Sequence, residues 1–556
     1  MSGSRIIFTI LILCLLLMSG GQHSVAAVPD ELITFTVNIG ADMQDANPGD
    51  GICSAIVGLT FCTLRAAIEE ANAGSEAALI NFAVPNPASF QLSNGQLSIL
   101  NDLTIQGDGT DQLSILGHDA NRVFNIVGAG DIHPTVTIKD LTIAGGGDAG
   151  DQNGAGIRVL SSTVMLERVN LEDNGVDAGC GGAFYLNESS TVMVQDAVVQ
   201  HNETAQGHGA AFCSEGGTLT IESSEISENF GTGVQSSGGA IYSEGGSLLV
   251  QDSVIWGNEV SFSGGGIHVV DSAVTIVGSE LIDNQATMGG AFNGVNVEPL
   301  QVEHSLFENN AALDSGPGGG IRILGGSNAT IVQSYFSNNQ SEGNGGAIYS
   351  SGSVLDVSDS TFFMNRSYNH FGGAIFATGQ LSVANSTLSG NWGMGGAITL
   401  QSASSVGHLL HSTLALNFAN NSGAAINVHD GAALTVENSI LAPNTASSGN
   451  DNCATIGGGT IIASGGNLAS DDSCPGFSLP NQDPQLLPLD DNGGPTFTHM
   501  PNALSPALDV ASEAGCAAVA FFDQRGYGRV DGNCDLGAVE RNGVEIMALY
   551  LPLIEK

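Results

Sequence analysis

The chain predicts an all-β fold: a parallel β-helix of about 11–13 turns, each of about 27 residues and three short strands, with a small helical cap at its amino-terminal end. Three observations lead there. One unit keeps returning, and its clearest copy is Gly238–Asn258, GGAIYSEGGSLLVQDSVIWGN. Its closing pattern, Ser-x-apolar-x-x-Asn, recurs from Ser224–Asn229 to Ser439–Asn444, and degenerate copies end at Asn174 and Asn202. The terminal asparagines are Asn174, Asn202, Asn229, Asn258, Asn284, Asn310, Asn339, Asn365, Asn391, Asn417 and Asn444; they fall 26 to 29 residues apart, with a mean of 27.0 over ten intervals. Finally, each unit holds short apolar runs rich in Val, Ile, Leu and Phe, separated by Gly, Asn, Ser and Asp. No stretch inside a unit carries helical periodicity, which excludes helical solenoids. Stacked about 4.8 Å apart, such turns make a rod of roughly 55–65 Å.

The chain opens with a secretion signal at 1–27. Arg5 precedes the apolar run IIFTILILCLLLM, and Val25-Ala26-Ala27 supplies the small residues of a cleavage site. The run is short for a membrane span, and no later segment reads as one. Only 12 Lys+Arg stand against 56 Asp+Glu, a formal net charge of −44. Nucleic acid is excluded as a partner, because phosphate contacts need cations. Nine cysteines are present, and Cys14 leaves with the signal. The even remainder in an exported chain favours disulfides, and proximity pairs Cys53 with Cys62, Cys453 with Cys474, and Cys516 with Cys534. Cys180 and Cys213 occupy adjacent turns out of register: one sits three residues before the Ala of the Gly-Gly-Ala corner, the other two after it. Direct stacking does not bring that pair together.

Residues 28–107 carry no repeat and read as a cap followed by the first irregular turns. CTLRAAIEEANA at 62–73 is a helix with Leu64, Ala67, Ile68 and Ala71 on one face and Arg65, Glu69 and Asn72 pointing elsewhere. A solenoid must cover its first turn, or an apolar end and an open strand edge remain. The repeats occupy 108–450. Residues 451–541 form a separate carboxy-terminal region in which Leu504, Pro506, Ala507 and Leu508 fold back over the last turn, and 542–556 is a short apolar tail.

The stretch DGIC…FCTLRAAIEEANA resembles the CSLREA domain, an amino-terminal cap of exported bacterial β-helix proteins: Cys62, Leu64, Arg65, Ala67 and Ile68 match, while Thr63 and Ala66 replace the family's Ser and Glu. The repeat resembles those of the polymorphic outer membrane proteins, with GGAI at Gly238, Gly345, Gly372 and Gly395, and FxxN ending at Asn310, Asn339 and Asn365. Residues 483–540 are similar to the choice-of-anchor Q domain. These resemblances imply a right-handed parallel β-helix at the surface of a bacterium or released from it. They imply no particular activity.

Physical roles follow for the repeated residues. Paired glycines suit a sharp corner. The asparagine column tolerates the left-handed region and can bond amide to amide between turns. The polar residue before each Ser marks a second corner. Val250, Ile276, Val302, Ile331 and Val357 form one inward stack, and Ile255, Leu281, Phe307, Phe336 and Phe362 another. For catalysis on sugars two carboxylates must approach within about 5–9.5 Å. Asp283 and Glu308 come nearest to such a pair, one column apart. His408 and His411 lack a third ligand for a metal. No cofactor is expected; Asp523, Asp531 and Asp535 crowd one loop and are the candidates should calcium bind, since hard oxygen ligands suit it.

The leading expectation is therefore a monomeric rod, secreted or held at the cell surface, that acts structurally, as an adhesin or by binding extracellular polysaccharide or cell-surface components, without catalysis. The alternative is a polysaccharide lyase or glycoside hydrolase on a pectin-lyase-like β-helix. The near-constant turn length favours the first, since a cleft needs one long loop. A charge in an inward stack should open the core. Val357→Asp is expected to destabilise by several kcal/mol in chemical denaturation; melting like the parent would remove Val357 from the interior.

Overall fold

The computed structural model describes residues 32–118, 121–147, 153–449, 451–511, 516, 522–529 and 533–545. The expected signal peptide, most of the apolar tail and Asp531 lie outside the described residues. The chain is a right-handed parallel β-helix of about 14 turns. The stack exceeds the expected count because it begins before the asparagine-marked units and continues after them. Ile33–Val37 already pairs with Ala78–Phe82, and Cys453–Ile456, Thr460–Ser464 and Leu468–Ala469 add a further turn.

One turn shows the plan. Strands Phe212–Glu215 and Thr218–Glu222 come first, then Glu225–Ser227, then the two-residue strand Phe230–Gly231. At Ile241–Gln251, Ile267–Val277, Ile348–Ser358 and Ile375–Ala384 the first two fuse, leaving three strands. Neighbouring turns pair in parallel, so equivalent residues stack: Ile221, Val250, Ile276, Val302, Ile331, Val357 and Val383 form one buried column. In a second column the rings of Phe307, Phe336 and Phe362 lie face to face, 4.8 Å between successive centroids.

The corners follow backbone sterics. Gly238 has φ +70°, and a Cβ there would meet the Ile241 carbonyl oxygen at 2.3 Å. The residues before the Ser column are left-handed too, as at Asp252, His304, Asp359 and His411. The asparagine corner differs from expectation. The left-handed residue is the one before the asparagine, even where it is Met364 or Leu416, with φ 54° and 59°. Bending the chain there turns the following asparagine inward, where its amide is buried.

That buried amide is fully used. Asn310 Nδ2 donates to Asn339 Oδ1 of the next turn at 2.9 Å and to the Leu281 carbonyl of the preceding one at 2.8 Å, while its backbone N–H also donates to Asn339 Oδ1 at 3.1 Å. The same links join Asn174 through Asn444, and Asn452 extends them by one member. A second ladder runs through the serines. Each backbone N–H from Ser224 to Ser412 donates to the next serine Oγ, and Ser439 N donates to Asn467 Oδ1 at 3.0 Å.

At the amino-terminal end the helix is Leu64–Ala73, two residues shorter than expected because Thr63 caps it, its Oγ accepting from Ala66 N. Arg65 and Asn72 do not point to solvent. Arg65 is buried against Asp42 at 2.7 Å and donates to the carbonyls of Gly95 and Gln96, and Asn72 bonds Ser98 and Leu100. The helix is thereby fixed on both faces to the chain around it.

Four disulfides occur: Cys53–Cys62, Cys453–Cys474, Cys516–Cys534 and Cys180–Cys213. The fourth runs against the register argument. The left-handed Gly181 turns the chain so sharply that its Cβ would lie 2.1 Å from the Phe184 oxygen. Cys180 is thus folded beside Tyr185, and Cys213 stacks on Tyr185 from the next turn, with Cα atoms of the two cysteines 5.6 Å apart.

The carboxy-terminal region lies along the flank rather than over the end. Leu504 is 80% exposed, whereas Ala507 and Leu536 pack on Ile440 and Leu468. Gln524 is the pin: its Nε2 donates to Thr361 Oγ1 at 2.8 Å and its Oε1 accepts from Thr387 Oγ1 at 2.6 Å. Cys474 and Phe477, which follow the last turn in sequence, are buried in the main core. Beneath the flank, burial pushes the Asp359 carboxyl up to about 6, helped by the nearby Asp523 and opposed by hydrogen bonds from Ser358 and Asn385 and by Arg529. The folded state therefore favours protonated Asp359. Its contribution to stability is complete below pH 3.8 and lost as pH rises through about 6. Asp359→Asn should abolish that part of the decline, measured as the difference in Tm between variant and parent across this pH window. A difference that stays constant with pH would contradict it.

Candidate functional site

Along a strand alternate residues face out, and stacking turns each outward position into a stripe along the rod. The first strand after each glycine corner carries the chemically richest stripe. Tyr185, Cys213, Tyr242 and His268 are in register, followed by Asn293, Arg322, Tyr349 and Phe376. Two residues further along the same strands, Glu215 and Glu244 are also in register and exposed.

The stripe is held by the chain just before each corner. The His208 ring stacks on Tyr242 at 4.7 Å, and Tyr242 on His268 at 5.4 Å. His268 Nδ1 meets Ser263 Oγ and Asn293 Nδ2, both at 2.9 Å, and Arg322 Nη1 donates to Asn293 Oδ1 at 2.7 Å. Burial, with His208 and Arg322 nearby, pushes the His268 imidazole down to about 3, so it is neutral and Nδ1 accepts. Tyr185 donates its hydroxyl to Glu215 at 2.6 Å and Tyr242 donates to Glu244 at 2.8 Å. Burial first, then these carboxylates, raise both phenols well above the usual tyrosine range, so they remain donors.

The result is a pair of exposed carboxylates one strand spacing apart, each oriented by a protonated phenol from its own or the neighbouring turn. Such a pair can accept hydrogen bonds from hydroxyl groups. Their backbones stand one strand spacing apart, about 4.8 Å, on adjacent turns, and retaining glycosidases place their two carboxyl groups about 5–5.5 Å apart. Sequence reasoning passed over it. The signal was there as a near-repeat, CSEGG at 213–217 and YSEGG at 242–246, which aligns the two glutamates.

Asp283 and Glu308 keep the expected offset of one column on adjacent turns: Glu308 stacks on Ile282, and Asp283, in a left-handed corner, donates its backbone N–H to the Glu308 carbonyl at 3.0 Å. The Glu308 carboxylate is taken up by Ser337, whose Oγ donates to it at 3.0 Å. His408 and His411 separate: His411 is buried against Asn438, while His408 lies 3.5 Å from Glu437 on the rim of a shallow cleft of about 660 Å³. Of the calcium candidates, Asp523 is buried, paired with Arg525 at 2.7 Å and accepting backbone N–H groups from Arg525, Tyr527 and Glu540. Asp535 groups with Asp509 and Glu540, their ligand oxygens within 4.8 Å of one another. There Asp535 accepts from Asp509 N and Arg541 N, and Glu540 pairs with Arg529 at 3.3 Å. Donors and a guanidinium therefore already serve these oxygens, a poor match to the six to eight that calcium takes.

The family model of the right-handed beta helix region matches residues 92–286 and 155–340, and the Chlamydia polymorphic membrane protein repeat matches 333–351. No curated protein matches the sequence. Among solved structures, the chain is similar to tailspike protein 3 of bacteriophage CBA120, at 12% identity and TM-score 0.32, covering 74% of this chain and 59% of that one. The catalytic unit of a thermostable GH87 alpha-1,3-glucanase from Streptomyces thermodiastaticus strain HF3-3 gives 13% and 0.30, over 81% and 70% of the two chains. Pectate lyase Pel9A gives 13% and 0.22, over 92% and 98%. No helix among the described residues is long and apolar enough to cross a membrane.

Proposed function

We propose that the protein is an exported, non-catalytic rod that binds a neutral extracellular polysaccharide along the stripe bearing Tyr185, Glu215, Tyr242 and Glu244. The observation that carries this reading is one of register: Asn187, Glu215 and Glu244 stand in one column on three successive turns of a rigid strand stack, about 4.8 Å apart along the axis. A polymer of hydroxyl-bearing units is the ligand such an array matches. Carboxylate acceptors held in place by phenols bind hydroxyls without ordering themselves first. The charge of −44 disfavours nucleic acid and long anionic polymers. The signal-like residues 1–27, the CSLREA-like cap and the choice-of-anchor Q-like region support export and placement at a cell surface, as do four disulfides.

A second reading is favoured by the same two glutamates. Their in-register placement suits a retaining glycoside hydrolase, with one carboxylate as nucleophile and the other as proton donor to the leaving oxygen. One experiment separates the two. The protein is run through gels containing neutral polysaccharides, and the same polymers are assayed for new reducing ends. Binding predicts retardation by at least one polymer, weakened about tenfold in Glu215→Gln/Glu244→Gln, with no reducing ends released. Reducing ends that vanish in either single variant would establish hydrolysis instead.

A further inference from the structure

A different face of the rod carries an unusual cation. The short last strand of each turn, two residues long, begins just after the ladder asparagine, and its first residue faces out. Gln340, Arg366, Trp392 and Phe418 occupy this position in four successive turns, in register. The Arg366 guanidinium carbon lies 3.4 Å from the Trp392 ring centroid and 4.1 Å from that of Tyr368, on its own strand's continuation. The rings are themselves fixed. Tyr368 donates its hydroxyl to Gln340 Oε1 at 2.9 Å, Trp392 Nε1 donates to Asn420 Oδ1 at 3.1 Å, and Phe418 packs edge-on against Trp392 at 5.8 Å.

Charge makes the arrangement informative. The protein has 56 acidic residues to 12 basic ones, so an arginine is easily paired. Arg65, Arg168, Arg525 and Arg529 all have carboxylate partners. Among the described residues Arg366 has none within ion-pair distance, and its Nε is buried without a hydrogen-bond partner. Aromatic faces attract the flat side of a guanidinium. With Nε buried, stacking leaves the terminal Nη groups directed edgewise, a geometry that can hold two oxygens of one oxyanion through parallel hydrogen bonds.

We infer that Arg366, clamped by Trp392 and Tyr368, is a binding site for the oxyanion of a short acidic carbohydrate, a uronate carboxylate or a sulfate ester. The surrounding rod is acidic and repels a long polyanion, so the occupant is a short or terminal acidic unit. This site is independent of the tyrosine–glutamate stripe and of its ligand.

Trp256 and Trp392 are the only tryptophans, so Trp256→Phe makes Trp392 the sole indole reporter. Its fluorescence would be titrated with trigalacturonate, with sulfated maltotriose and with neutral maltotriose. A saturable change with one or both acidic trisaccharides and none with the neutral one is expected. Response to one alone identifies the oxyanion. Arg366→Gln should abolish the response. Arg366→Lys, which keeps the charge but lacks the planar fork, should weaken it about tenfold at unchanged Tm. Silence toward all three sugars, an equal response to the neutral one, or an undiminished response in Arg366→Gln would overturn the assignment and leave a purely structural clamp.

Discussion

Each marked turn of this rod buries one primary amide, and the architecture depends on satisfying it. An asparagine amide in an apolar interior costs several kcal/mol if left unbonded. Here its N–H groups reach a carbonyl in the turn before and the asparagine in the turn after, while its oxygen takes a backbone and a side-chain N–H from the turn before. No single turn can make these bonds alone. A turn is stable only when both neighbours present their amides at the same height, so the ladder enforces register between turns. The aligned amides polarise one another in the same direction along the axis. The serine ladder repeats the device at a second corner, with backbone N–H groups donating into side-chain hydroxyls.

Because the inward columns and both ladders hold the backbone, the outward positions can diverge while their spacing stays fixed. Three surfaces follow from that freedom. Thr361, Thr387 and Thr413 give a small, hydroxyl-bearing face on which the carboxy-terminal region docks through Gln524 and Ala538. Tyr185, Tyr242, Glu215 and Glu244 give a polar stripe on the first strand. Arg366, Trp392 and Tyr368 give a cation against two rings on the short last strand. The same period that stabilises the core also sets the pitch at which any bound polymer is met.

The period, the inward columns and the strand content were legible in the sequence because they repeat, and repetition survives without knowledge of where the chain bends. What was not legible depended on the bends. Cys180 and Cys213 looked out of register because a linear alignment ignores the glycine corner that folds one beside the other. Glu215 and Glu244 align only once the glycine corners fix where each first strand begins. Arg65 lies off the apolar face of the helix, and its partner Asp42 comes from a loop with no periodicity. The flank-lying carboxy-terminal region rests on contacts more than a hundred residues apart, such as Thr387 to Gln524, for which a single sequence carries no local signal.

The direct measurement is hydrogen exchange with peptide-level resolution along the whole rod. The backbone N–H groups of ten ladder asparagines, Asn174 through Asn417, donate to the next asparagine's side chain. If that ladder joins the turns into one unit, these amides should be among the slowest to exchange and should exchange together, with similar protection from first to last. Rapid exchange at the asparagines while the flanking strands stay protected would contradict the central role of the ladder.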